Sequence, residues 1–167
     1  MKWYAISGSW RGANEKVRRD VQKVIKDILK KGNGIITGGA LGVDYFANEA
    51  ALAMNQADRI KIFLPIKLNE VCEQYQRWAS EGIVTPEESK KITAQLQKIY
   101  KLNRKAIFDN TRFSAANEES YYARNTAIVE NCDELYAFQA NGSKGTQDAI
   151  DKAKGLGKKV HVKKYTY

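Results

Sequence analysis

The stretch "GIITGGALGVDYFANEAALAMNQ" (34–56) passes from an apolar run through a glycine-rich turn into a helical pattern. Ile35 and Ile36 lie in a short apolar run that ends at glycines, which is typical of a buried strand. The residues from Val43 onwards predict a helix with Asp44 in its first turn. A strand that leads directly into a helix points to a parallel sheet, because each parallel crossover needs a helix.

The same alternation of strand and helix extends in both directions from this stretch. Predicted strands lie at 3–9, 34–39, 59–65, 134–138 and 158–164, and predicted helices at 14–31, at 43–56, near 119–131 and after the turn at 139–146. In the first helix Asn14 is the predicted N-cap, and aliphatic residues recur on one face. The sequence therefore predicts an α/β fold with a mainly parallel sheet and helices on both of its faces.

Residues 66–118 differ from the rest, because they form a polar segment rich in Glu, Gln and Lys. Two helices are predicted there, at 67–82 and 85–108, and the second has Thr85 as N-cap and Pro86 as its first helical residue. A chain of 167 residues suits one domain with a sizeable core. We therefore expect a single domain over 1–167 with a helical insertion at about 66–118.

The composition limits the classes of partner. Lys plus Arg number 28 and Asp plus Glu number 19, so the net charge of +9 favours polyanions or phosphate-bearing ligands. A basic surface that merely aids solubility gives the same count. Cys72 and Cys132 lie far apart and His161 is the only histidine, so no metal site is expected. No apolar run approaches the roughly 20 residues that span a bilayer, and the N-terminus does not read as a signal peptide, so we expect a cytoplasmic protein without a membrane partner.

Three glycine-bearing turns each follow a predicted strand: "SGSWRG" (7–12), "TGGALGVD" (37–44) and "QANGSKGT" (139–146). In a parallel sheet these turns lie at one edge, where ligands bind in open α/β sheets. Helix N-termini carry unpaired N–H groups and about half a positive charge, and glycine lets the backbone approach an anion closely. The three turns together predict a phosphate-binding cradle, although each glycine taken alone also fits a simple tight turn.

The candidate ligand-binding residues come from these turns and from the start of the helix near 119–131. They are Gly8, Ser9, Arg11, Thr37, Gly38, Gly39, Gly42, Asp44, Arg124, Asn125, Gly142, Ser143, Lys144, Gly145 and Thr146. Asp44 is interpreted either as a helix cap or as a ribose contact, and Arg124 either as a ligand contact or as half of a structural salt bridge. Trp10 lies at the same edge and either stacks on a base or covers the core. The sequence assigns no catalytic residue.

Three segments resemble known families. "IITGGALGVDYFANEAAL" (35–52) and "YYARNTAIVENCDELYAF" (121–138) resemble the Ser-Gly-x-Ala-x-Gly-Ile-Asp and Arg-Asn-Arg-x-Ile segments of the DNA-processing protein A family. "GSKGTQDAIDKAKGLGKKVHV" (142–162) is similar to the ending of the wider group that includes the LOG-like proteins. That wider group is the SLOG superfamily, and the resemblance implies a Rossmann-like, doubly wound fold that binds a nucleotide or a nucleotide-derived ligand. A homodimer is also implied, since members of the superfamily often dimerise.

The chain departs from the LOG-like pattern at the residues that carry catalysis. LOG-like phosphoribohydrolases have Pro-Gly-Gly-x-Gly-Thr-x-x-Glu with a catalytic final Glu, whereas here Asn141 replaces the proline and Ala149 takes the Glu position. Asp148 lies one residue early, which on a helix turns its side chain by about 100°. If the chain is a hydrolase, the missing carboxylate must come from Glu118, Glu119 or Asp148.

The chain also departs from the DNA-processing pattern, since Asn48 stands where His is usual and Thr126 replaces the second Arg. Arg124 matches the arginine of both families. Our leading hypothesis is binding of a nucleotide or a nucleotide-derived phosphate ligand, as a sensor, carrier or sequestering module. The alternative is binding of single-stranded nucleic acid, which the net charge of +9 favours. A second alternative is hydrolysis of a nucleotide N-glycosidic bond.

Overall fold

The computed structural model describes residues 1–167 and contains six strands and six α-helices. The strands are β1 (Trp3–Gly8), β2 (Gly34–Thr37), β3 (Ile60–Phe63), β4 (Ile107–Phe108), β5 (Glu134–Ala140) and β6 (Lys159–Tyr165). The helices are α1 (Glu15–Lys30), α2 (Val43–Ala53), α3 (Leu68–Ser80), α4 (Pro86–Leu102), α5 (Glu118–Asn131) and α6 (Lys144–Gly155). None of these helices is both long enough and apolar enough to cross a membrane.

All six strands run parallel in one sheet, in the order β4-β3-β2-β1-β5-β6. From β1 the chain winds outward as far as β4, and it then returns to the other side of β1 to form β5 and β6. The winding therefore reverses between β1 and β5, and the carboxyl ends of these strands form the switch point where ligands bind in such sheets. The predicted Rossmann-like, doubly wound α/β fold is confirmed.

The alternation of side chains along each strand divides the core between the two faces of the sheet. Ile35 on β2 belongs to a buried cluster that α1, α2 and α4 complete, whereas Ile36 belongs to a second cluster under α5 and α6. The same division separates Ile6 from Ala5 on β1. Because helices cover both faces of these central strands, the strands appear in the sequence as short continuous apolar runs.

The helix starts follow local signals that the sequence carries. The side chain of Asn14 accepts a hydrogen bond from the backbone N–H of Val17 at 3.1 Å, which confirms it as the N-cap of α1. Thr85 and Glu88 form a capping box at the start of α4, and Pro86 is the first residue of that helix, as predicted. Side-chain caps therefore fix these two boundaries independently of the tertiary structure.

The predicted helix 85–108 was too long, because α4 ends at Leu102. Asn103 leaves the helical conformation, and its side-chain amide donates to the backbone carbonyl of Ala57 at 3.1 Å. After one turn of 3-10 helix, Ile107 and Phe108 pair with β3 as the edge strand β4, which the sequence did not predict. Pairing with a distant strand therefore decided this segment against its helical pattern.

Gly42 allows α2 to start directly against the turn that follows β1. Its backbone has a φ of +77°, in the left-handed region that favours glycine. A Cβ atom at this position would lie 2.5 Å from the carbonyl oxygen of Ser9 and 2.7 Å from the Cα of Trp10. The β1 turn and the start of α2 therefore touch backbone to backbone, which brings two of the three glycine turns together.

Gly42→Ala is expected to destabilise the fold by more than the usual cost of placing alanine at a positive φ. Gly157 has a similar φ of +70°, but a Cβ there meets no atom within 4 Å, so Gly157→Ala measures the conformational cost alone, about 1 kcal/mol. The excess for Gly42→Ala should be roughly 1–3 kcal/mol, the range of an overpacked site. Urea unfolding of both variants measures the difference, and equal losses of stability would contradict the close approach.

Candidate functional site

A cavity of about 530 Å³ lies at the carboxyl edge of the sheet, at the switch point between β1 and β5. Nine of the fifteen candidate residues line it: Gly8, Gly38, Asp44, Arg124, Asn125, Ser143, Lys144, Gly145 and Thr146. The structure thus brings parts of all three glycine turns and the start of α5 to one place. Side chains from α3 and α5 and the ring of Trp10 form most of the remaining wall, and Ile6, Ser7 and Ala40 complete it.

Two polar candidates, Ser9 and Thr37, support the cavity without lining it. The hydroxyl of Ser9 donates to the carbonyl of Ala140 at 3.3 Å and accepts from the N–H of the same residue at 3.1 Å, which ties the β1 turn to β5. The hydroxyl of Thr37 is fully buried and exchanges hydrogen bonds with the side-chain amide of Asn48. The asparagine that stands in place of the usual histidine therefore has a structural partner.

The four other candidates outside the lining are Arg11, Gly39, Gly42 and Gly142. Gly39 packs closely, since a Cβ there would lie 2.8 Å from a methyl group of Leu64. Gly142 lies in an open turn with a φ of +64° and no atom near its absent side chain. The guanidinium of Arg11 lies over the ring of Trp10, 4.3 Å from its centroid, next to the cavity. Gly39, Gly42 and Gly142 therefore shape the turns and do not line the cavity.

The N-terminus of α6 offers unpaired donors to the cavity. Ser143 is the N-cap, but its side chain caps no backbone N–H. The backbone N–H groups of Lys144, Gly145 and Thr146 donate to no acceptor in the protein. Because this helix end carries about half a positive charge, three free N–H groups beside the ammonium-bearing side chain of Lys144 form a site suited to a phosphate group.

The glycine turn before α2 is arranged differently, because the carboxylate of Asp44 occupies its donors. This carboxylate accepts from the backbone N–H of Gly38 at 3.0 Å and from that of Ala40 at 3.2 Å. The backbone donor predicted at Gly38 is therefore already satisfied within the protein. Burial raises the pKa of Asp44 to about 6, although the charge of Arg124 and the two N–H donors each lower it. Asp44 thus caps the turn that precedes its own helix.

Arg124 connects the two halves of the cavity. Its Nη1 donates to the backbone carbonyl of Gly38 at 2.7 Å, and its Nε donates to the side-chain carbonyl of Asn125 at 3.2 Å. A Cβ at Gly38 would overlap this guanidinium, so a larger residue there would force the end of the Arg124 side chain to move. Arg124 forms no salt bridge within 4 Å, and its charge is therefore open to an anion in the cavity.

Asn125 positions the start of α6. Its amide nitrogen donates to the carbonyl of Gly145 at 3.2 Å and to the carboxylate of Asp148 at 3.0 Å. Lys152 pairs with the same carboxylate at 3.0 Å. Asp148 is thus engaged in holding α5 against α6 and does not line the cavity, and Ala149 is buried in the core. Glu118 is the only one of the three carboxylates considered for hydrolysis that lines the cavity.

An aromatic wall faces the polar side of the cavity, and sequence reasoning missed most of it. The rings of Trp10 and Trp78 stack with centroids 5.8 Å apart and planes 18° apart, and Tyr75 meets Trp78 edge-on at 5.5 Å. Tyr121 and Tyr122 add two rings from α5. A signal was present, since Tyr75 and Trp78 lie three residues apart on a helix and so share a face. No sequence pattern showed that this face of α3 meets the carboxyl edge of the sheet.

The family model described as DNA recombination-mediator protein A matches residues 1–165. Among solved structures, the chain is similar to DNA processing protein A from Helicobacter pylori, for which a unique single-stranded DNA binding mode is described (TM-score 0.69, 22% identity, 96% of this chain and 64% of that chain). It is also similar to the structural-genomics target TM1055 (TM-score 0.58, 17% identity, 96% and 72%) and to DNA processing protein A (DprA) from Streptococcus pneumoniae (TM-score 0.54, 19% identity, 96% and 58%).

At these identities the structural similarities show the fold alone. The chain spans less than two thirds of the length of both DNA processing proteins. No curated protein sequence matches it.

Asp44→Asn is expected to change how stability depends on pH. The pKa of Asp44 is raised in the folded state, so its bound proton stabilises the fold at low pH, and this contribution is lost as the pH rises through about 6. The free energy of unfolding of the variant, minus that of the parent protein, should therefore increase by up to about 3 kcal/mol between about pH 4 and about pH 7.5. Urea unfolding across this range tests it, with the exposed Asp58→Asn as control. A difference that is constant with pH would show that the pKa of Asp44 is not raised in the folded protein.

Proposed function

This chain belongs to the DNA recombination-mediator protein A family, and from that membership and the cavity we propose that it binds single-stranded DNA at the carboxyl edge of its sheet. The observation that carries the proposal is one cavity that combines free helix N–H groups, two basic side chains and an aromatic wall. This order reverses the ranking reached from the sequence, in which a small nucleotide came first. Family membership supports the polymer, and the sequence motifs alone did not separate the two ligands.

The aromatic wall supports a single strand over a duplex. Bases of a duplex are paired and stacked inside the helix, so their faces are not available to Trp10, Trp78 or the tyrosines of the cavity. Unpaired bases stack on aromatic side chains with about 1–3 kcal/mol per base, whatever their sequence. A cavity of about 530 Å³ lies in the size range of small-molecule pockets and so suits a nucleotide unit of the strand.

The polar side of the cavity supports contact with the phosphate backbone. Lys144 and the three unpaired N–H groups of α6 lie on this side, and Arg124 lies between them and Gly38. Cations and helix N-termini are the usual partners of DNA phosphates. The net charge of +9 adds a long-range attraction for polyanions, so we expect affinity to fall as salt rises, with a slope of about −0.7 per phosphate contacted.

Gly145→Glu is expected to weaken binding of an oligonucleotide without unfolding the chain. A Cβ at Gly145 meets no atom within 4 Å, and an acidic residue in the first turn of a helix interacts favourably with the helix dipole. The new carboxylate would stand beside the N–H groups assigned to phosphate and repel it, so affinity should fall by roughly 5- to 30-fold, the equivalent of about 1–2 kcal/mol. Fluorescence anisotropy with a labelled oligothymidine at low salt measures the loss.

Gly155→Glu is the matched control for this experiment. It makes the same change in charge at the other end of α6, outside the cavity, where a Cβ also meets no atom within 4 Å. It should therefore leave affinity within about twofold of the parent protein, because only the long-range charge changes. Equal losses in the two variants would contradict the assignment of the α6 N-terminus to phosphate.

A second candidate is the binding of a free nucleotide or nucleotide-derived ligand, which the enclosed size of the cavity favours. The two functions predict different results when a mononucleotide competes with the oligonucleotide for the cavity. If the strand is the ligand, a mononucleotide should displace labelled oligothymidine poorly, because it replaces the contacts of one unit and lacks the others. Displacement by one mononucleotide near its own dissociation constant, together with a flat salt profile, would favour the small ligand.

The SLOG placement, the helical insertion at about 66–118, the homodimer and the cytoplasmic location stay predictions.

A further inference from the structure

Two tryptophans from distant parts of the chain stack on each other at the wall of the cavity. Trp10 follows β1, and Trp78 lies in the last turns of α3. Both rings are half-buried and both line the cavity. Neither indole N–H donates to an acceptor in the protein, although tryptophan N–H groups usually find a partner when buried. The pair therefore carries two indole donors that the fold itself does not use.

The surrounding structure constrains the ring of Trp78 more than the ring of Trp10. Trp78 belongs to a helix and is flanked edge-on by Tyr75, which is buried. The backbone of Trp10 is pressed against Gly42, so its position is fixed, but its side chain lies between a ring on α3 and the guanidinium of Arg11. Since Trp10 lies in the turn after β1 and not in a strand or helix, a turn of its side chain is the smallest movement that would separate the two indoles.

We propose that Trp10 and Trp78 form a closed clamp that opens to take one unpaired base between the two indole rings. The inference rests on the proposed binding of single-stranded DNA and names the part of the ligand that this wall recognises. The centroids are 5.8 Å apart and the ring planes are 18° apart, so the two indoles stack on each other in the free protein. Each ring covers a face that the base would occupy, so the clamp opens only when one ring turns away from the other.

The clamp accounts for the residues around it. The guanidinium of Arg11 lies 4.3 Å from the centroid of the Trp10 ring, and we expect its charge to attract the phosphate next to the inserted base. The N-terminus of α6 lies at the same cavity and takes the next phosphate. Stacking is independent of sequence, so the clamp selects for an unpaired base and not for its identity.

Circular dichroism of the full chain tests the clamp directly, because two stacked indoles give an exciton couplet in the far ultraviolet. The couplet should be present in the free protein and absent from Trp10→Phe and Trp78→Phe. Saturation with oligothymidine should weaken it in the parent protein, after subtraction of the spectrum of the oligonucleotide, because exciton coupling falls with the cube of the distance between the rings. Trp3→Phe, which removes the third tryptophan at the other end of β1, should behave as the parent protein.

Affinity provides a second measurement in the same samples. Trp78→Phe and Trp10→Phe keep an aromatic face, so Trp78→Leu and Trp10→Leu are used here, and each should weaken binding by about 5- to 150-fold, the contribution of one stacked base. The double variant should lose little more than either single variant, because one ring cannot clamp alone. Oligothymidine that binds with the couplet unchanged would overturn the clamp and leave DNA binding in place. Failure of the parent protein to bind it would overturn both.

Discussion

The reversal of winding between β1 and β5 is the constraint on which the rest of this molecule depends. The chain leaves β1 towards α1 on one face of the sheet and leaves β5 towards α6 on the other face, so the two loops separate and leave a gap at the carboxyl edge. Gly42 then lets the start of α2 close one side of the gap, and α5 closes the other. The cavity is therefore a consequence of strand order, and its chemistry depends on which side chains the neighbouring helices bring to it.

The electrostatics of the cavity are asymmetric. Asp44 satisfies the donors of the glycine turn before α2, whereas the N–H groups at the start of α6 have no acceptor. Burial of Asp44 without a direct ion pair is costly, and the raised pKa of this carboxyl expresses that cost. Arg124 partly offsets it through its charge, while its own guanidinium is held by a backbone carbonyl. One glycine turn is thus closed by the protein itself, and the other remains open to an anion.

The aromatic wall distinguishes this cavity from a simple phosphate site. A phosphate is bound by hydrogen-bond donors and positive charge, which α6, Lys144 and Arg124 supply, and aromatic rings add nothing to its binding. The five aromatic rings can instead bind bases, because every base can stack on a ring and stacking requires no hydrogen-bond code. The wall depends on α3, so the polar segment between β3 and β4 contributes to the site as well as to the edge strand. A cavity with phosphate donors on one side and rings on the other fits a nucleic acid that presents both at once.

The sequence by itself determined the parallel α/β fold, the caps at Asn14 and Thr85, and the meeting of the three glycine turns, because apolar runs, capping residues and strand–turn–helix units are encoded over short stretches. It also nominated nine residues that line the cavity: seven because the carboxyl ends of parallel strands share an edge, and Arg124 and Asn125 through the resemblance to known families. Only the tertiary structure decided that β4 pairs at Ile107, that Asp44 occupies one turn, and that Tyr75 and Trp78 face the cavity. Each of these depends on two segments far apart in the chain meeting at a distance of a few ångströms, and no local pattern records the partner across such a contact.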